Sequence, residues 1–202
     1  MHDHSDCRFL LSQSVWDESV ETPTRIHRFE LNAERIREAV EMEWMEIVQP
    51  TSETKQWAAK IADWANHSFL IGKKPLAILQ AGEIETMALY LSLQADAMAI
   101  DERTCRMLVE EPLRLQNHIA AKYDKKVSVN QAALAPIRQQ FKSALIVRSC
   151  DLLAWTYKHD LFGYELSQNP ATLEASLFAV KTAGCAVASR EILDYINRLP
   201  KK

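Results

Sequence analysis

Residues 82–106 read GEIETMALYLSLQADAMAIDERTCR and predict a helix followed by a strand. Apolar residues at helical spacing give this helix one buried face: Ile84, Met87, Ala88 and Leu91. The short apolar run over 95–100 is typical of a buried parallel strand. Glu83 would then begin the helix and Asp101 would end the strand. Both carboxylates are predicted to reach one edge of an α/β sheet, where they could hold a divalent metal.

The rest of the chain alternates helices with short apolar strands. Further strands are predicted at 7–11, 44–48 and 145–147. Further helices are predicted at 25–43, 52–65, 103–111, 151–159, 171–183 and 189–198, with two more in 113–143 around a turn at 124–129. This alternation predicts an α/β fold, with a parallel sheet covered by helices on both faces. Because no repeat or low-complexity segment interrupts it, we expect a single domain over 1–202.

The composition is that of an ordinary globular protein. The 202 residues are 48% hydrophobic and 25% charged, and the net charge of -3 provides no overall positive field for nucleic acid. No apolar run approaches the roughly 20 residues of a membrane span, and the polar start is unlike a secretory signal. We therefore expect a soluble, cytoplasmic protein without a membrane partner. The cysteines lack C-x-x-C spacing and are expected to be reduced thiols: Cys7, Cys105, Cys150 and Cys185.

Glu83 and Asp101 each have a structural interpretation beside the functional one. An acid at a helix start, such as Glu83, complements the helix dipole without any further role. Asp101 is a favoured N-cap for a helix that begins at Glu102. Neither residue alone decides between the two interpretations. Together, on consecutive elements, they favour a shared site.

The 82–106 block resembles the second half of the PIN-domain ribonuclease family, whose toxin-type members have a "GE" helix and then a strand that ends in D-x-R. Three other segments agree with this resemblance. Residues 12–18, SQSVWDE, resemble the turn in which a valine precedes a helical Glu by three positions. Residues 43–48, EWMEIV, resemble the strand that follows it, and 144–162 resemble a late strand and helix with an R-S-x-acid-L element.

The resemblance implies a three-layer PIN-like fold with a short parallel sheet and a helical insertion at about 112–143. It places Glu18, Glu83 and Asp101 on three of the family's four acidic positions, where they would hold Mg²⁺ or Mn²⁺ and carry the catalysis. On this register of the alignment, the family's opening strand and the first Asp at its end have no counterpart in the chain. On a second register, Ser12 would replace that Asp, but the first register is preferred because it also places Glu18 and Trp44 on positions of the family. The chain could thus be a weak nuclease, an inactive relative, or a product that lacks its true beginning.

Basic residues beside the proposed site give a candidate contact with RNA. Arg103, Arg106, Arg148 and Ser149 are the predicted nucleic-acid-binding residues. The alternative for the arginines is an ion pair inside the fold with Asp96, Asp101 or Glu102. Three tryptophans on apolar helix faces are expected in the core rather than as base-stacking platforms: Trp57, Trp64 and Trp155.

Two functions remain open on this sequence. The first is a metal-dependent ribonuclease of toxin or RNA-processing type, with RNA as substrate and an antitoxin-like protein as a possible partner. The second is an inactive PIN-fold binding or interaction module, expected to be a homodimer. An unrelated α/β hydrolase is disfavoured, since the chain has no Gly-rich phosphate loop, no G-x-S-x-G elbow and no H-E-x-x-H motif.

Overall fold

The structure, a computed structural model, describes residues 7–23, 27–162 and 167–198. Its strands are β1 (Phe9–Ser12), β2 (Met45–Val48), β3 (Phe69–Ile71), β4 (Lys74–Pro75), β5 (Ala97–Ala99), β6 (Val127–Val129) and β7 (Leu145–Val147). Its helices are α1 (Gln13–Trp16), α2 (His27–Glu41), α3 (Ser52–Ser68), α4 (Ala81–Leu93), α5 (Arg103–Glu110), α6 (Pro112–Tyr123), α7 (Gln131–Gln140), α8 (Ser149–Lys158), α9 (Pro170–Ala183) and α10 (Ser189–Asn197). A π-helical turn, Asp17–Glu21, follows α1.

The strands form three short sheets. β1 pairs with β2, and β5 pairs with β7, both in parallel. β3 lies between β4 and β6 in a small antiparallel sheet. The predicted α/β class is therefore confirmed, with short parallel sheets flanked by helices in place of the single parallel sheet that was expected. The antiparallel sheet was not predicted, because strands of two or three residues are too short for a periodic pattern.

Helix α4 begins and ends where local chemistry places it. The Glu83 side chain accepts a hydrogen bond from the backbone N–H of Gln80, which caps the first turn. Gln94 adopts a left-handed conformation, with φ of 51°, and ends the helix. Met87 and Ala88 are completely buried on the predicted face, while Ile84 and Leu91 are half-buried against the same core.

Two groups of buried apolar side chains hold the described residues together. The first cluster joins α3 to α7 with the strands between them: Ile61, Ala65, Phe69, Leu79, Met87, Ala88, Met98, Ile100, Cys105, Leu108, Leu115, Ile119, Val127, Leu134, Ile137 and Phe141. The second cluster joins α8, α9 and α10: Cys150, Phe162, Leu173, Leu177, Cys185, Val187 and Ile192. Full burial of one such Leu or Ile side chain stabilises the fold by about 1.5–3 kcal/mol.

The connection between the clusters runs through β5 and β7. Their parallel pairing continues in the hydrogen bond from Ile100 N–H to the Val147 carbonyl, at 2.9 Å. One residue on, the Asp101 carbonyl accepts the N–H of Ala186 at 3.1 Å, and Ala186 lies in the loop after α9. The carboxyl end of β5 is thus the point at which both clusters meet.

The predicted burial of the β5 segment and of the tryptophans is only partly correct. Met98 is buried, but Ala97 and Ala99 are exposed, because a sheet of two strands leaves one face uncovered. Trp57 and Trp64 pack against the first cluster. The prediction for Trp155 was wrong, since 42% of this residue is exposed on α8.

The helices, the cysteines and the 112–143 segment can each be compared with the sequence pattern. No helix among the described residues is long and apolar enough to cross a membrane. Cys105, Cys150 and Cys185 are buried free thiols and Cys7 is exposed. The 112–143 segment is helical, as predicted, except that β6 occupies the expected turn.

Candidate functional site

A polar cleft of about 180 Å³ opens beside the start of α4. Its walls come from the segment that precedes α4, from the starts of α4 and α5, and from the end of α6. The polar side chains among its lining residues are Gln80, Glu83, Glu102, Thr104, His118, Lys122 and Tyr123. The cleft therefore has acidic side chains from α4 and α5, and basic and aromatic side chains from α6.

Glu83 is the half-buried acid of this cleft. Its Oε2 accepts the Gln80 N–H at 2.6 Å. Burial raises the pKa of Glu83 above its ordinary value, and the hydrogen bond from Gln80 opposes that shift. The negative charges of Glu102 and Glu18 then raise the pKa further. The charges of two other acids thus oppose the ionisation of Glu83.

Glu18 reaches the start of α4 from the π-helical turn. Its Oε1 accepts the N–H of Gly82 at 3.2 Å. The glycine is required for this approach, since a Cβ at position 82 would lie 2.9 Å from Glu18 Oε2 and 3.2 Å from Val15 Cγ2. In return, Glu85 Oε2 accepts the N–H of Ser14 at 2.7 Å, so the starts of α1 and α4 bind each other. The structure thus places the carboxylate of Glu18 at the start of the helix that contains Glu83.

Glu102 is the third acid, and no motif of the sequence indicated it as a site residue. It is the N-cap of α5, and its Oε2 accepts the Cys105 N–H at 2.7 Å. The candidate cap was Asp101, so the expected cap was wrong by one residue, while the helix begins at Arg103 as predicted. Since Asp is a better N-cap than Glu by propensity, nothing in the sequence identified Glu102 as the cap.

Asp101 lies at the end of β5 but contacts the second cluster. Its Oδ1 accepts the N–H of Ser149 at 2.8 Å, and its Oδ2 accepts the Ser149 hydroxyl at 2.6 Å. Asp101 therefore binds the first residue of α8. The charges that act on Glu83 are those of Glu102 and Glu18. The metal-binding and catalytic roles of Asp101 stay predictions.

The predicted RNA-binding arginines differ in their environments. Arg148 is only 7% exposed and forms ion pairs with Asp151, at 2.9 Å, and with Glu191, at 2.5 Å. Arg106 lies 3.8 Å from Glu110 and donates to the Ala186 carbonyl at 3.4 Å. The alternative of internal pairing thus describes both residues, although with other partners than those expected. Arg103 is exposed.

The three glutamates have the right chemistry for a hard divalent cation but do not form a closed cage. No group of three or more His, Cys, Asp or Glu side chains within the described ranges is arranged to hold a metal ion. One carboxylate oxygen of each of Glu18, Glu83 and Glu102 accepts a backbone N–H. This donor set fits Mg²⁺ or Mn²⁺ only as a water-rich ion, held by one or two carboxylates and a substrate phosphate.

Comparison with known proteins adds no relative. No family model, no curated protein and no solved structure matches the chain.

Proposed function

We propose that this chain is a PIN-like, metal-dependent ribonuclease of low activity, with its reaction centre at Glu83. The observation that carries this proposal is the half-buried carboxyl of Glu83, which lines an open cleft together with Glu102, while the carboxylate of Glu18 binds the N–H of the preceding residue, Gly82. Clustered negative charge of this kind opposes folding unless a cation neutralises it. Such acids are typical of functional sites.

The arrangement of elements supports the PIN-like part of the proposal. Two parallel strand pairs are flanked by helices, and the "GE" helix, the strand that ends at Asp101 and the R-S-x-acid-L element at the start of α8 follow in the family's order. Ser12 ends β1, is 2% exposed, and accepts the Val15 N–H at 3.2 Å. This position favours the second register, in which Ser12 replaces the family's first Asp. The loss of that acid is the reason to expect low activity.

The chemistry would be divided between a bound cation and residues of the chain. Bound Mg²⁺ or Mn²⁺ would activate water and stabilise the developing charge on the phosphate. Glu83 and Glu102 would hold the cation through the oxygens that accept no backbone N–H, with Glu18 beside them. Asp101 would act as a positioning residue, because it fixes the end of β5 to α8 through Ser149.

Cleavage of a labelled RNA in the presence of Mn²⁺ tests the proposal. We expect Glu83→Gln and Glu102→Gln each to lower the rate about tenfold or more, since each removes charge from the cation site. Glu53→Gln is the matched control, because Glu53 is an exposed acid in the first turn of α3. Wild-type activity in Glu83→Gln would contradict the proposal. Equal rates for wild type and Asp101→Asn would remove Asp101 from the mechanism.

One observation favours the second candidate, an inactive binding module. Both carboxylate oxygens of Asp101 bind Ser149, and the three glutamates cap backbone N–H groups, so each acid already has a structural role. Such a module would bind RNA, an antitoxin-like protein or a second copy of itself. Calorimetric titration with Mn²⁺ separates the two candidates. Binding that Glu83→Gln abolishes would count against the inactive module, and absence of both binding and cleavage would count for it.

A further inference from the structure

The wall of the cleft that α6 provides has a different chemistry from the acidic wall. His118 and Lys122 lie one turn apart on the same face of α6, and Tyr123 is the last residue of the helix. Asp124, with φ of 49°, ends α6 in a left-handed conformation directly after Tyr123. All three α6 side chains thus line the cleft that contains Glu83 and Glu102.

Lys122 and Tyr123 are available for a ligand. Tyr123 is 48% exposed, and the Lys122 Nζ lies 5.8 Å from the centre of its ring. Neither Lys122 nor His118 has an ion-pair partner among the residues that the structure describes. The burial of α6 depends instead on Leu115 and Ile119, on its core face. Core packing therefore does not explain why an aromatic ring and a cation lie side by side at the cleft.

A cation beside an exposed ring is the combination that binds single-stranded nucleic acid. A base stacks on the ring while the positive charge contacts the phosphate backbone. A duplex cannot use the ring in this way, because its bases stack on one another. The positive charge of Lys122 would also offset the repulsion between a phosphate and the acids of the opposite wall.

We propose that the end of α6 is a nucleotide-binding subsite for single-stranded RNA. Tyr123 stacks on a base, and Lys122 contacts the adjacent phosphate and directs it toward Glu83. His118, one turn before Lys122, lines the same path. This inference rests on the proposed ribonuclease function, and it assigns substrate binding to α6 rather than to the arginines of α5 and α8.

The test is binding of a short, fluorescently labelled single-stranded RNA of mixed sequence, measured by anisotropy with EDTA present so that no cleavage occurs. We expect Tyr123→Leu to weaken binding by about 5- to 150-fold, the range for loss of one base stack. Tyr123→Phe retains the ring and should bind as wild type does. Lys122→Gln should weaken binding and reduce the slope of log affinity against log salt by about 0.7.

Two matched controls lie elsewhere on the surface. Lys60→Gln removes a lysine whose Nζ lies 4.7 Å from the ring centre of Trp57, and Trp155→Leu removes an aromatic side chain that is 42% exposed. Both should leave binding unchanged, and an RNA duplex of the same sequence should bind more weakly than the single strand. Circular dichroism checks that each variant is folded.

Several results would overturn the subsite. They are wild-type affinity in Tyr123→Leu, an equal loss in Trp155→Leu, equal affinity for the duplex, and absence of measurable wild-type binding. The ribonuclease proposal fails separately, since cleavage in Mn²⁺ that Glu83→Gln leaves intact would contradict it even where Tyr123→Leu weakens binding. If Glu83→Gln abolishes cleavage but Tyr123→Leu binds RNA as wild type does, the subsite proposal fails and the ribonuclease proposal stands.

Discussion

Glu83 lies in an unfavourable environment for its own charge. Its pKa is raised by burial and by the charges of Glu102 and Glu18, although the N–H of Gln80 opposes the shift. In the unfolded chain the same carboxyl ionises at its ordinary pKa. The unfolded state therefore loses its proton first as the pH rises, and ionisation of Glu83 opposes folding above that pKa. A residue that lowers stability in this way is typical of a site kept for function.

Glu83→Gln should accordingly raise the melting temperature at neutral pH. The amide oxygen of Gln can still accept the Gln80 N–H, so the cap of α4 is kept while the charge is removed. The gain in melting temperature should be absent below the ordinary Glu pKa of 4.5, where the carboxyl is protonated in both the folded and the unfolded state. It should grow as the pH rises through the raised pKa that Glu83 has in the folded protein. Thermal denaturation from pH 4 to pH 8 measures it, with Glu53→Gln as the control without a pH-dependent gain. A lower melting temperature than wild type at pH 7 would contradict the argument.

Gly82 controls the position of Glu18, and Gly82→Ala separates that role from folding. Alanine in a helix stabilises it by about 0.5–1 kcal/mol relative to glycine, but the added Cβ would meet Glu18 Oε2 at 2.9 Å. We expect Glu18 to move away and Mn²⁺ affinity to fall, with stability close to wild type. A calorimetric double-mutant cycle with Glu18→Gln checks this. The two losses should not add, because both remove the same carboxylate.

Helices α8 and α10 are joined by charged side chains as well as by the second cluster. Arg148, at the start of α8, donates to Asp151 from Nε and Nη2 and to Glu191 of α10 from Nη2. Burial by itself would raise the pKa of Asp151, but hydrogen bonds from Arg148 and Tyr195 outweigh it and lower the pKa. The hydrogen bond from Arg148 also lowers the pKa of Glu191. The network thus favours the ionised form of both acids.

Arg148→Met should destabilise the protein by about 2–4 kcal/mol at pH 7, because it leaves two partly buried acids without their partner. The pKa values of Asp151 and Glu191 are lower in the folded protein than in the unfolded chain. Their ionisation therefore stabilises the fold above the ordinary pKa, and this stabilisation is lost as the pH falls through the lowered values. The difference in free energy of unfolding between Arg148→Met and wild type should therefore become smaller at low pH. Urea denaturation at pH 7 and pH 3 measures it. Arg114→Met is the matched control, since Arg114 pairs with Glu111 at the surface and should cost less than about 1 kcal/mol.

On the scale of the whole molecule, the two clusters meet at the carboxyl end of β5. The first cluster is larger and contains the helix that carries Glu83, while the second contains the network of Arg148. Asp101 connects them through Ala186 and Ser149, and the side chain of Arg106 also binds the Ala186 carbonyl. Because these contacts lie close together, we expect that one cluster can open before the other.

Leu177→Ala and Leu134→Ala test this arrangement, since both side chains are almost completely buried and each change should cost about 2–5 kcal/mol. We expect Leu177→Ala to speed amide hydrogen exchange in α8, α9 and α10 but to leave α3 and α4 protected. Leu134→Ala should speed exchange in α3 and α4, which pack in the same cluster. Uniform acceleration throughout the chain by either variant would show a single cooperative unit instead.

Much of the fold could be predicted because its signals are local. Helical spacing identified the buried face of α4, and the bounds of α9 and α10 agree with the predicted helices within one residue. The three-residue strands β3 and β6 were missed, since their pairing depends on partners far apart in the chain. The cleft residues His118, Lys122 and Tyr123 were missed as well. Helical spacing shows that α6 has an outer face but not what that face adjoins.

The sequence by itself placed Glu83 at the start of a helix, because a cap depends on residues within three positions of one another, although α4 begins two residues earlier, at Ala81. Only the tertiary structure decided which acids surround it. Glu18 reaches Gly82 across 64 positions of the chain, and Asp101 binds Ser149 across 48. Asp101 and Glu102 are neighbours in the sequence, yet one contacts the second cluster and the other acts on Glu83. The physical reason is that successive side chains at a strand end point in different directions, and the packing of distant helices determines what each one meets.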